Sequence, residues 1–101
     1  MVVRMKILIS SNAMNWFHKE MEAVKGDTIR FYARYGGSSQ VQEAFSIGVT
    51  KDTPFEPSAT YKEEDILFFI EERDEWYFDG HDLYVELDST RDELSYAYKK
   101  A

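Results

Sequence analysis

After a loose lead-in over residues 1–4, the chain alternates apolar and polar positions as a strand does. Met5, Ile7 and Ile9 fall on one side of residues 5–10. The period then changes. Ala13, Trp16, Phe17, Met21 and Val24 recur near the three- and four-residue spacing of a helix that buries one stripe. Ser10 is placed to cap that helix, and Ile9 and Met14 form an apolar staple across its start. Lys25 and Gly26 are placed to close it, one favouring the negative end of the helix dipole and the other allowing a left-handed C-cap. His18 falls beside the stripe and is expected on the exposed side.

A period of two returns at residues 28–35. Ile29, Phe31, Ala33 and Tyr35 alternate there with Arg30, Tyr32 and Arg34, which predicts one buried and one solvated face. Residues 44–49 repeat the pattern with Phe45, Ile47 and Val49. Pro54 and Pro57 bracket a loop, since neither suits a central strand. Residues 58–62 read as a short edge strand and residues 66–70 as a fully buried one. Residues 73–78 read as a single helical turn running into a tight turn at Asp79-Gly80. Residues 83–87 and 93–98 then form a hairpin across residues 88–92. No linker, repeat or low-complexity stretch interrupts this order. The pattern predicts a mainly β (α+β) fold in a single domain over residues 5–98, with one main N-terminal helix.

Composition changes this picture by exclusion. A chain of 101 residues buries roughly two thirds of its unfolded surface on folding, and 44% hydrophobic residues are enough for a core. No apolar run approaches the ~20 residues that span a bilayer. The N-terminus lacks the pattern of a signal peptide, and the absence of cysteine gives no disulfide framework, so a cytoplasmic setting is expected. Acids outnumber bases 19 to 12 for a net charge of −7, which argues against nucleic acid and against anionic membranes. The acids gather at residues 63–65, 71–75 and 88–93 and read as solvated turns.

Two segments carry candidate chemistry. Gly36-Gly37-Ser38-Ser39 follows a strand bearing Arg30 and Arg34. Successive glycines let backbone N–H groups converge on an anion, although they also suit a plain hairpin turn. Asp79-Gly80-His81-Asp82 gathers three polar side chains on one turn but lacks the ligand spacing of a calcium loop. The candidate binding residues are therefore Arg34, Tyr35, Gly36, Gly37, Ser38, Asp79 and His81, with no metal site or cofactor assigned. A nucleophile at Ser38 or Ser39 would need His81 and an acid beside it, and the carboxylates lie in hydrophilic runs. A non-enzyme is expected. Trp76, Tyr77 and Phe78 read as core and rim packing.

The order of an opening strand and helix, the segment at residues 29–39 and the segment at residues 66–83 resembles the HesB-like or IscA-type family of iron–sulfur biogenesis proteins. That resemblance covers residues 5–98 and implies a compact, twisted β-sandwich or barrel-like domain with a short helical turn at Trp76–Phe78. It places Gly37 near the family's first cysteine, while the chain ends in Tyr96-Ala97-Tyr98-Lys99-Lys100-Ala101 without the Cys-Gly-Cys pair. Clusters are held mainly by thiolates, so the resemblance implies an accessory or binding role linked to cluster assembly, not a cluster carrier. The alternative is a small binding module for a protein or an anionic ligand, unrelated to iron–sulfur assembly.

Overall fold

The structure is a computed structural model describing residues 5–100, so the expected lead-in at residues 1–4 lies outside the described residues. The opening alternation forms β1 (Ile7–Ile9), with Ile7 and Ile9 buried. Helix α1 (Ser11–Glu20) follows, and its start is as the sequence predicts: the Ser10 hydroxyl accepts the Ala13 N–H at 3.1 Å. Ala13, Met14 and Phe17 form its buried stripe.

Its end differs from expectation. The helix stops before Val24, because Glu22 turns left-handed at φ +52° and the N–H groups of Met21 and Ala23 both donate to the Phe17 carbonyl. That turn drives Ala23 into the core and leaves Val24 61% exposed, so Val24 is no part of the stripe. Gly26 does not cap the helix. At φ +94° it steers the chain into the next strand and donates its N–H to the Asp65 carbonyl.

Five of the remaining strands are β2 (Thr28–Ser38), β3 (Glu43–Lys51), β4 (Pro57–Glu63), β5 (Ile66–Glu71) and β6 (His81–Asp88). The last is β7 (Glu93–Lys100). Between β5 and β6 lie a 3₁₀ turn, Glu72–Asp74, and a short helix α2 (Glu75–Phe78). One sheet has the order β1-β6-β7, with β1 parallel to β6, and the other the order β3-β2-β5-β4, with β2 parallel to β5. The inner place of β5 explains its unbroken apolar run, and the edge place of β4 tolerates Pro57 at its first residue. Side chains from α1 and from both sheets share one apolar cluster, in which Phe17 packs on Phe68 and Phe31 at ring distances of 4.9 and 6.2 Å. The mainly β expectation holds.

Two expectations about faces are corrected. Arg30 is not solvated: its side chain is 12% exposed and pairs with Asp74 at 2.6 Å and Asp52 at 3.2 Å. Burial opposes that charge, but Asp74 and then Asp52 more than offset it and hold the guanidinium pKa above its ordinary value. The acidic run at residues 71–75 is not wholly a solvated turn either, because Glu71 and Asp74 are buried. The Glu71 carboxylate accepts the N–H groups of Phe55 and Glu56 at 2.7 and 2.8 Å, which pins the proline-bracketed loop. Tyr35 has the parity of the buried face, but it is 81% exposed, as its place in the candidate binding segment requires.

Candidate docking surface and polar cleft

Strand β5 stops at Glu71, while β2 runs on to Ser38. The gap beside the far half of β2 is taken by the 3₁₀ turn and α2, where the Ala33 N–H donates to the Asp74 carboxylate at 3.4 Å. This arrangement places Trp76 against Phe45, and Phe45 lies directly opposite Tyr35 in the β2–β3 ladder. The three rings stack edge to face, with centroids 5.5 Å apart for Tyr35–Phe45 and 5.1 Å for Phe45–Trp76. Tyr35 and Trp76 are 81% and 51% exposed, so an aromatic ladder lies open on the surface. Its inner end continues through Trp76 to the fully buried Tyr77. Arg73, three residues before Trp76, is exposed and carries no ion pair among the described residues.

Gly36 and Gly37 do not form the hairpin turn. They lie within β2 as a bulge, at φ +122° and +69°, where the register slips between Tyr35–Phe45 and Ser38–Glu43. The reversal itself comes at residues 39–42, where the Ser39 N–H donates to the Gln42 carbonyl and the Ser39 hydroxyl accepts from Val41 and Gln42. Across the bulge, the Ser46 hydroxyl donates to the Gly36 carbonyl at 3.0 Å and accepts from the Arg34 guanidinium at 3.4 Å.

A shallow cleft of about 220 Å³ opens beside this bulge, between it and β7. Ser38, Ser39, Ser46, Tyr96 and Tyr98 are among its lining. Burial pushes both phenols well above their ordinary pKa. For Tyr98 the hydroxyl of Tyr77, 2.9 Å away, adds to that effect, and for Tyr96 the Arg34 charge draws weakly the other way. Both phenols therefore stay protonated and able to donate.

The second candidate segment has local duties. Asp79 sits left-handed at φ +47° as the C-cap of α2, and the His81 Nδ1 reaches the carbonyls of Phe78 and Asp79 at 2.9 Å. The Asp82 carboxylate accepts the Lys6 N–H at 2.7 Å. Among the described residues, no group of three or more His, Cys, Asp and Glu side chains is placed to hold a metal. His18, expected on the exposed side, is half-buried: its Nδ1 donates to the Ala23 carbonyl, which with Glu64 raises its pKa against the cost of burial. The structure thus brings Arg34, Tyr35, Gly36, Gly37 and Ser38 onto one strand end. It leaves Asp79 and His81 occupied with capping a helix. Sequence reasoning missed Phe45 and Trp76 as surface partners of Tyr35. The pairing of β2 with β3 would have signalled Phe45, whereas Trp76 arrives only with the docking of α2 beside it. No helix among the described residues is long and apolar enough to cross a membrane.

Comparison with known proteins overturns the iron–sulfur resemblance. A Bacillus subtilis protein named pyruvate dehydrogenase inhibitor is 46% identical over 95 residues, covering 94% of this chain and 100% of that protein. An uncharacterised Staphylococcus saprophyticus protein is 36% identical over 98 residues, and one from Staphylococcus haemolyticus 30% over 99, each covered along its whole length. No protein-family model matches the chain, and no solved structure matches it significantly. None of these relatives carries a HesB-like or iron–sulfur name, and the order of elements that suggested that family is not specific to it. The named relative is an inhibitor by its name, in accord with the reading of the chain as a non-enzyme. The chain belongs to the family of the Bacillus subtilis pyruvate dehydrogenase inhibitor and its staphylococcal relatives.

Proposed function

We propose that this chain is a protein inhibitor of pyruvate dehydrogenase that acts by binding, without chemistry of its own. The observation that carries the reading is the 46% identity spanning the whole of the relative that bears that name. The aromatic ladder supplies a docking face. Interface hot spots are enriched in Trp, Tyr and Arg, and here Tyr35 and Trp76 stand exposed on a ladder with the unpaired Arg73 close by in the chain. The edge-to-face stack holds the rings before binding, which lowers the entropy lost on docking. The complementary surface on the enzyme would be apolar with a carboxylate at its rim, facing Arg73.

Binding of immobilised pyruvate dehydrogenase from the same organism tests both parts. Tyr35→Ala and Trp76→Ala are each expected to weaken binding by ~30-fold or more, the loss of about 2 kcal/mol typical of a hot spot. Tyr35 is too exposed for its loss to unfold the protein. Equal binding by wild type and both variants would move the docking face elsewhere. No binding by the wild type would remove the inhibitor reading itself.

A further inference from the structure

We propose that the cleft beside the β2–β3 bulge binds a small oxyanion, a carboxylate or a phosphate, held by the Arg34 charge and by the hydroxyls of Tyr96 and Ser38. This inference stands apart from pyruvate dehydrogenase and from the aromatic ladder. The lining of the cleft contains no carboxylate, although the chain carries 19 acids and a net charge of −7. Glu43, opposite Ser38 in the ladder, is exposed and is not part of that lining.

The Ser39 and Ser46 hydroxyls already donate to the Gln42 and Gly36 carbonyls, which leaves Arg34, Tyr96 and Ser38 as the donors with capacity to spare. Arg34 is exposed, has no ion pair among the described residues, and reaches the cleft through Ser46. The Tyr98 hydroxyl is engaged with Tyr77, whereas the Tyr96 hydroxyl has no hydrogen-bond partner among the described residues. The Tyr96 phenol is half-buried, and its hydroxyl, with no protein acceptor among the described residues, is free to donate to a ligand in the cleft. At about 30 Å³ per water molecule, the cleft has room for a small oxyanion and several waters. The bulge contributes as well. Gly36 and Gly37 in positive φ turn the backbone at the rim, so that Ser38 and Ser39 face the cleft.

Titration of the ¹⁵N-labelled full chain with inorganic phosphate, acetate and chloride at constant ionic strength, followed by NMR, tests this. Phosphate, acetate or both are expected to give saturable shifts centred on Ser38, Ser39 and Ser46, with only weak, linear shifts from chloride. The anion that saturates identifies the source. Arg34→Gln and Tyr96→Phe are each expected to weaken that binding by about tenfold, the scale of one hydrogen bond to a charged group. Arg73→Gln, which removes the same charge away from the cleft lining, is expected to leave it unchanged. Linear shifts with all three anions, saturable shifts centred elsewhere, or wild-type affinity in either Arg34→Gln or Tyr96→Phe would overturn the proposal. Arg34 is exposed, so its variant keeps the fold and the test stands on it alone if Tyr96→Phe is unstable.

Discussion

Replacing Phe17 with alanine is expected to lower folding stability by about 3–5 kcal/mol, the range for a fully buried phenylalanine. The ring is 0% exposed and packs from α1 onto the four-stranded sheet, against Phe68 and Phe31, with Trp16 edge-on at 5.3 Å. Neighbours on three elements cannot all move into the void, so most of the cavity would persist. A small domain has only about 5–15 kcal/mol in total, so the variant should melt at much lower denaturant concentration. A loss below about 1 kcal/mol would mean that α1 packs on a different face.

Removing Asp74 should cost nearly as much for a different reason. Its carboxylate is 10% exposed and bonds the Arg30 guanidinium at 2.6 Å, and Arg30 is itself only 12% exposed. Truncation to alanine leaves a buried cation partly uncompensated, a defect worth about 3–5 kcal/mol. Asp52 still reaches the other guanidinium nitrogen at 3.2 Å, so the lower end, about 3 kcal/mol, is expected. The Arg30→Met, Asp74→Ala double variant should lose clearly less than the sum of its parts, since no orphaned charge remains. Strict additivity in denaturant melts would show that the pair is not coupled.

What the sequence made legible was local. The Ser10 cap, the alternation of Ile29 with Phe31 and the run from Ile66 to Ile70 are all read from neighbouring residues, and the structure uses them so. What it hid depends on distant partners. Glu71 and Asp74 look like members of a solvated acidic run until loop N–H groups and Arg30 arrive from 15 to 44 residues away. Tyr35 has the right parity for the core, yet β2 outruns β5 and leaves its ring outside, stacked on Phe45. The helix end was misplaced because Lys25 and Gly26 are an obvious stop, whereas a left-handed Glu22 gives no sign in the sequence. The glycine pair was recognised as a special backbone site, but as a loop instead of a bulge inside a strand. Family membership was misread because a strand, a helix and a set of β-hairpins occur in many small domains, and the missing thiolates were the stronger evidence.

The proposed restraint of pyruvate dehydrogenase by binding is open to a direct kinetic test. The most direct measurement is the steady-state rate of purified pyruvate dehydrogenase from the same organism as increasing amounts of this protein are added. A saturable loss of activity is expected with wild type, and a right-shifted curve with Tyr35→Ala or Trp76→Ala. An unchanged rate in the presence of excess wild-type protein would contradict the proposed restraint.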